Sequence, residues 1–352
     1  MFKSIRLCCV LMALGFMGLG QYLMQMYEHN QMLMDLEHNS YFEHYLEAQA
    51  ELIHELQKER GLTITFIGSE HEKKYLEVLE AQYVLTDNAI KNYRDALDHL
   101  PLKYQSTAFQ RRASSVIVNL SQLPEFRPQA QNVMDTGGVL MFYTPSLIGQ
   151  IQGSVEDYFA GLQDATGAKM AISYLGLSKA KDFIGLERAM GGYILASNEP
   201  SDDMTERFIV YRTQANVNMA VFRFYGPQSV QADYDKISNS TVFEKVRNLE
   251  AKVLQKANMH KNVEVGPLDW FSAMTEKIDL LHHVETQYLY EIKTYLSVKI
   301  DAVKHRMLNL TLYWGLGGLV WAIFMAFLFR LEHSVARQQK KNPPNLDKTA
   351  MG

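Results

Sequence analysis

Cysteine is nearly absent from this chain of 352 residues, and the only two copies, Cys8 and Cys9, lie together in the first apolar run. Adjacent cysteines in a helix do not easily bridge to each other, and no others remain for a disulfide framework or a zinc site. His282 and His283 are also adjacent and point to different faces of a helix, so we interpret them as a solvated helix surface. We therefore expect no metal site.

Strong charge of either sign is absent too. The net charge of −4 gives no electrostatic argument for nucleic-acid binding. The chain contains no P-loop, no nucleophile elbow and no H-E-x-x-H zinc helix. We expect no nucleic-acid partner, no cofactor and no enzymatic activity.

Proline is sparse between Tyr27 and Met307, and apolar residues recur there with a period near 3.6. The few prolines divide this region into pieces of helical length. The predicted helices lie near 27–68, 70–99, 106–121, 126–160, 166–197, 203–225, 230–257 and 268–307. The sequence therefore predicts an all-α domain built from helical bundles.

Two long apolar runs flank this region. Leu308 to Phe329 contains no charge, and at 1.5 Å per residue it spans roughly 33 Å, enough to cross a bilayer. We predict a transmembrane helix at 308–329. The first run, placed at 7–26, is interpreted as an uncleaved signal anchor, the alternative being a cleaved signal peptide.

The basic residues predict the orientation of these spans. Lysine and arginine are absent between Tyr27 and Gln57, whereas residues 1–6 and the tail at 330–352 are basic. By the positive-inside rule both ends lie in the cytoplasm, and the domain at 27–307 lies outside. We expect a two-pass protein of the bacterial inner membrane with a periplasmic domain.

Two short motifs place an arginine on the apolar stripe of a helix. Arg60 and Arg188, 128 positions apart, are each in phase with apolar residues at helical spacing. A guanidinium keeps its proton, so a buried arginine needs an anion. Glu59 and Glu187 each precede an arginine by one residue, so they lie about 100° around the helix from it. Their carboxylates therefore do not easily reach the face that carries the arginine. The spacing suggests two related half-bundles.

The source of that anion is open from these residues alone. An anion from outside the chain would make the protein a small-anion receptor. The alternative is an internal salt bridge from each arginine to a carboxylate on a neighbouring helix, such as Glu80, Asp182 or Glu285.

Several segments together resemble a known family. Leu52-Ile53-His54-Glu55-Leu56-Gln57-Lys58-Glu59-Arg60-Gly61 resembles the opening signature of the NIT domain, the nitrate- and nitrite-sensing module of bacterial receptors. Further segments follow in the family's order at Leu123 to Arg127, Tyr143 to Ile148, Lys181 to Gly191 and Trp270 to Glu285. The resemblance runs from about 45 to 290.

The resemblance implies an all-α sensor of two four-helix-bundle halves, with nitrate or nitrite held between them by arginines. Arg60 and Arg188 match the motif arginines and are the expected ligand-binding residues. Arg127 and Tyr143 match signature positions, with either a secondary binding role or a structural one. Lys277 is a candidate for a further basic residue. By analogy with the family we expect a homodimer.

The expected function is that of a membrane-anchored small-anion sensor. Only the 23 residues at 330–352 follow the second span, so we expect the helix displacement to pass to an unidentified signalling partner protein. One alternative is a membrane scaffold or assembly factor that binds a protein and keeps its arginines in internal salt bridges. Another is a sensor tuned to a different small anion or an organic acid.

Overall fold

The computed structural model describes residues 2–69, 71–102, 105–132, 134–159, 164–197, 200–259 and 263–341, and within them the fold is all-α, as predicted. In chain order the helices are α1 (Phe2–Gly68), α2 (Lys73–Asp98), α3 (Thr107–Asn132), α4 (Thr136–Met141), a π-helical segment (Phe142–Ile148), α5 (Gly149–Phe159), α6 (Ala165–Ala196), α7 (Asp202–Tyr225), α8 (Gln228–Ser238), α9 (Thr241–Met259) and α10 (Pro267–Lys341).

The chain divides into two compact units. The smaller comprises Met1–His38 and Leu296–Gly352. Within it α1 and α10 approach closely, because a Cβ built on Gly15 would lie only 2.8 Å from the ring of Trp321. The glycine thus lets the indole lie against the helix backbone.

One helix of the described residues, within Pro267–Ser334, carries a stretch long and apolar enough to cross a membrane, and none of that stretch is buried. This helix contains the predicted span at 308–329. The predicted span at 7–26 stays a prediction, because the side chains up to residue 9 lie outside the described part of the chain. Met1 and residues 342–352 of the predicted cytoplasmic ends also lie outside it.

The larger unit, Asn39–Tyr295, is organised around α1 and α6. The side-chain amide of Gln49 donates to the Tyr174 hydroxyl at 2.5 Å, and that of Gln57 donates to Asp182 at 3.2 Å. Both contacts join positions 125 apart in sequence. Because the later residue of α1 pairs with the later residue of α6 at the same sequence separation, the two helices run parallel, side by side.

Three helical segments pack against α1. The Tyr45 hydroxyl lies 2.9 Å from the Tyr93 hydroxyl on α2 and 2.7 Å from Ser154 Oγ on α5. On α3, the ring of Phe109 makes an edge contact with Tyr45, with 5.4 Å between ring centroids. Hydrogen bonds and aromatic packing around Tyr45 therefore join α2, α3 and α5 to α1 at one level.

The corresponding helices around α6 are α7, α9 and α10. The Ser173 hydroxyl donates to the carbonyl of Phe222 on α7 at 2.9 Å. The Tyr288 hydroxyl on α10 donates to the carbonyl of Met170 at 2.9 Å. Buried polar groups thus find partners across helices, as a packed core requires.

Several predicted helix boundaries are wrong. The prolines of α3 were expected to end a helix near 121, yet the helix continues through Pro124 and Pro128 to Asn132. An interior proline costs about 3 kcal/mol locally, and the burial of apolar side chains such as Phe126 offsets that cost. The predicted helix at 230–257 is in fact α8 and α9, separated at Asn239 and Ser240.

The π-helical segment Phe142–Ile148 interrupts the region predicted as a helix at 126–160. It contains Pro145, which has no N–H for the usual helical hydrogen bond. The wider winding of a π-helix accommodates this gap, and such segments often occur at functional sites. Here the segment carries Tyr143 and Thr144, which both bond to side chains of α1.

Candidate functional site

Arg60 and Arg188 are both buried, as their helical phase predicted, with 0% and 1% of their surfaces exposed. Each guanidinium lies against a glycine of the opposite helix. A Cβ built on Gly61 would come within 2.7 Å of Arg188 Nη2, and one on Gly185 within 3.0 Å of Arg60 Nη2. The two glycines thus create the space in which the arginines cross between α1 and α6.

Arg60 has a carboxylate partner. Its Nη2 donates to Asp182 Oδ1 at 2.9 Å, and its Nη1 donates to the Thr144 hydroxyl at 2.8 Å. The Nε hydrogen has no acceptor among the described residues. For this arginine, the structure contains the internal salt bridge that the sequence left as an alternative.

Arg188 has no carboxylate partner among the described residues. Its Nη1 donates to the Thr275 hydroxyl at 2.9 Å and its Nη2 to the carbonyl of Gln57 at 3.0 Å, while its Nε has no acceptor. The ring of Phe271 lies 4.5 Å from its guanidinium carbon. A full positive charge is therefore buried against neutral groups, which is costly unless an anion compensates it.

The pKa of Arg188 reflects the absence of a carboxylate partner among the described residues. Burial, and then the charge of Arg60, lower the pKa of Arg188 to about 9, with Asp279 acting in the opposite direction. The group remains charged at neutral pH. Because an opposite charge nearby favours the ionised form, an anion beside Arg188 would relieve the penalty.

An open cleft of about 450 Å³ lies next to Arg188. Its lining residues are Phe271, Ser272, Thr275, Glu276 and Asp279. Two of them, Phe271 and Thr275, contact the arginine directly. Solvent therefore reaches the outer side of the same two side chains that cover Arg188.

Comparison with known proteins decides the family. The family model described as nitrate and nitrite sensing, NIT, matches residues 51–293, a range that contains both arginines. The chain belongs to the NIT family. The resemblance drawn from the sequence motifs is thereby confirmed.

The fold of this NIT protein is also found in a solved structure, described as "Structure of the NasR transcription antiterminator". The two chains superpose with a TM-score of 0.70 at 16% sequence identity, over 88% of this chain and 86% of the other. At this identity the likeness shows a common fold. Comparison with curated protein sequences gives no match.

Two further residues from the NIT signature, Arg127 and Tyr143, converge on Glu59. Arg127 donates to both carboxylate oxygens of Glu59, at 2.9 and 3.0 Å, and the Tyr143 hydroxyl donates at 2.6 Å. Arg127 also pairs with Asp87 at 2.8 Å. Glu59 thus accepts its hydrogen bonds from Arg127 and Tyr143 rather than from Arg60, in agreement with its helical phase.

Lys277, the remaining basic candidate, pairs with Glu250 at 3.2 Å, and Arg212 pairs with the same carboxylate at 3.1 Å. Beside them Glu187 is buried, and its Oε1 has no hydrogen-bond donor among the described residues. Burial raises the pKa of Glu187 to about 8, with Lys277 opposing the shift and Glu250 adding to it. This carboxyl is therefore largely protonated at neutral pH.

The expectation of a solvated surface at the adjacent histidines is wrong for His282. Its ring stacks on that of His54, with 4.0 Å between centroids, and lies 3.1 Å from the ammonium group of Lys181. His283 is exposed. Packing of α10 against α1 and α6 buries one face of the helix and leaves the adjacent residue in solvent.

The hydroxyl partners of the arginines, Thr144 and Thr275, were not predicted as site residues. Both lie within segments that resemble the family, but a threonine on a helix is an ordinary residue with no signal of its own. Only the crossing of α1 with the π-helical segment, and of α6 with α10, brings each hydroxyl to its guanidinium.

Proposed function

We propose that this NIT protein is a membrane-anchored sensor that binds nitrate or nitrite between α1 and α6, through Arg60 and Arg188. The observation that carries the proposal is the state of Arg188. It is a completely buried guanidinium beside a second arginine, and it donates to neutral acceptors alone among the described residues.

The chemistry of these groups suits a small planar oxyanion. Nitrate and nitrite are monovalent, and their oxygens accept the paired hydrogen bonds that a planar guanidinium donates. Charge-assisted bonds of this kind are stronger than the neutral bonds that Arg188 makes to Thr275 and Gln57. The Nε hydrogens of both arginines are available as further donors.

We further propose that α1 with its three partners and α6 with its three partners form the two four-helix-bundle halves of the sensor. The ligand would then contact both halves, so its binding energy would favour one arrangement of the halves over another. Arg60 lies on α1 and Thr275 on α10, the two helices that also carry the apolar runs.

We also propose an assembly and a location for this sensor. The protein is a non-enzymatic homodimer that crosses the bacterial inner membrane twice, with the sensor domain in the periplasm. It passes a helix displacement to a separate signalling protein. The apolar, unburied stretch of α10 supports the anchor.

The decisive experiment is titration of the full-length chain in detergent micelles with nitrate, nitrite, chloride and sulfate by isothermal calorimetry. Trp270 is a convenient second readout, because its indole N–H donates to the carbonyl of Arg188 at 2.7 Å. We expect saturable nitrate or nitrite binding in the wild type and its loss in Arg60→Met and Arg188→Met. Arg112→Met is the matched control, since Arg112 pairs with Asp157 elsewhere.

The scaffold alternative has one observation in its favour, the salt bridge between Arg60 and Asp182. It predicts that a folded wild-type protein binds none of these anions. In that case Arg60→Met would unfold at lower temperature, because it leaves the buried Asp182 without its partner, and neither methionine variant would change any ligand response.

A further inference from the structure

The two arginine centres are built alike. Each arginine donates through Nη1 to a threonine hydroxyl, Thr144 for Arg60 and Thr275 for Arg188, at 2.8 and 2.9 Å. Each guanidinium also lies over a glycine of the opposite helix. The likeness lies in the groups present rather than in their positions, because Gly61 follows Arg60 by one residue whereas Gly185 precedes Arg188 by three.

The two motifs also differ in the charge of one neighbouring side chain. Asp182 lies six residues before Arg188 and reaches across to Arg60, with which it forms an ion pair of 2.9 Å. The matching position, six residues before Arg60, is His54 on the opposite helix. The motif on α6 therefore has a carboxylate at the position where the motif on α1 has an imidazole.

The imidazole of His54 adds no charge to the site. Burial, and then nearby positive charges that include Arg188, hold the pKa of His54 far below its usual range, so the ring is neutral. The carboxylate nearest to this imidazole belongs to Asp279, with 3.5 Å between its Oδ1 and Nε2 of His54. The side chain of Asp279 is half exposed. Water screens that carboxylate far more than it screens Asp182, which is 9% exposed.

The buried pair of Lys181 with Glu285 sums to zero charge. The other buried charges around the two arginines are their own guanidinium groups and the carboxylate of Asp182, which leaves one unit of positive charge. A monovalent anion neutralises this charge, whereas a divalent anion leaves an uncompensated negative charge in a buried place. Asp182 also occupies an N–H group of Arg60 that a ligand would otherwise use.

We infer that Asp182 is the specificity-determining residue of the site. Its charge restricts the site to singly charged anions, and its carboxylate competes with the ligand for Arg60. The inference rests on the proposed function, since it concerns the same two arginines. Asp182 thus sets the affinity for the ligand and the permitted charge of the ligand without binding the ligand itself.

The test compares the wild-type full-length chain with Asp182→Asn and Asp182→Glu, using nitrate and sulfate as probes at constant ionic strength. Asparagine keeps the shape and the acceptor that Gln57 uses, but removes the charge. We expect Asp182→Asn to bind nitrate about tenfold more tightly or better, and to acquire sulfate binding. Asp182→Glu keeps the charge and should still reject sulfate.

A second pair of variants tests a negative charge on α1 instead of α6. His54→Asp introduces a carboxylate at the position that matches Asp182 in the other motif, and His54→Asn is its neutral control. We expect nitrate to bind the aspartate variant about tenfold more weakly than the asparagine variant. This comparison keeps the inference testable even if Asp182→Asn fails to fold.

The outcomes separate the two proposals. A folded wild type that binds neither nitrate nor nitrite overturns the proposed function. Nitrate binding by the wild type, with no gain in Asp182→Asn and equal affinities in the two His54 variants, overturns the role of Asp182 and leaves the sensor intact.

Discussion

Gly61 lies directly under the guanidinium of Arg188, so close that a Cβ at this position would come within 2.7 Å of Nη2. The glycine belongs to α1 and the arginine to α6, and their contact is one of the points at which the two parallel helices meet. A glycine in a helix interior costs about 0.5–1 kcal/mol relative to alanine. Here it provides the room that a buried guanidinium needs.

Gly61→Ala is therefore expected to displace the Arg188 guanidinium, which lies at the flexible end of its side chain, and to weaken nitrate binding by about tenfold, or about 1.4 kcal/mol. Calorimetric titration of the full-length protein measures the change. Gly192→Ala is the control, because its Cβ would lie 3.9 Å from its nearest neighbour, an ordinary contact. Equal affinities in the two variants would show that Gly61 does not position Arg188.

Gly191→Ala should instead affect stability. Its Cβ would come within 2.5 Å of the indole of Trp270, a rigid and fully buried ring. Overpacking of this kind costs about 1–3 kcal/mol. Thermal or urea unfolding, followed by tryptophan emission, should show the loss. Gly192→Ala, one position further along α6, should be unchanged or slightly more stable, and a Gly191→Ala protein as stable as this control would contradict the prediction.

Tyr143→Phe tests whether the signature tyrosine is structural. The substitution removes one donor from Glu59, a completely buried carboxylate, and leaving such a group short of a partner costs about 1–3 kcal/mol. Nitrate affinity should not change, because the hydroxyl bonds to Glu59 rather than to the arginines. The exposed Tyr290→Phe should alter stability by no more than about 0.5 kcal/mol. A loss of nitrate binding in Tyr143→Phe would instead give this residue a direct role.

Glu187→Gln should change how stability depends on pH. The pKa of Glu187 is raised from 4.5 to about 8 by burial, so between these values the folded state keeps a proton that the unfolded state loses. This contribution is complete below about pH 4.5 and is lost as the pH rises to about 8.

We therefore expect the glutamine variant to be more stable than the wild type at about pH 9, with the difference shrinking towards about pH 5. Melting temperatures across this range measure the effect. The exposed Glu276→Gln should follow the wild-type curve. A constant offset between Glu187→Gln and wild type at every pH would contradict a proton held by the folded state.

Much of the fold follows from local pattern. The 3.6-residue periodicity correctly predicted that the described chain is helical, and it placed Arg60 and Arg188 on buried faces. It failed at Pro124 and Pro128, where a local rule about proline was outweighed by packing. It also missed the π-helical segment, since the widening of one helical turn leaves no pattern in the sequence.

The sequence by itself determined the family, the helical class and the pair of buried arginines, because motif identity and helical phase are local properties. Only the tertiary structure decided which arginine has a partner. Asp182 was one of three candidate carboxylates in the sequence, and it pairs with Arg60 because α1 and α6 run parallel with an offset that brings the two together. The same offset places neutral groups around Arg188, a difference between two similar motifs that depends on contacts between residues more than 120 positions apart.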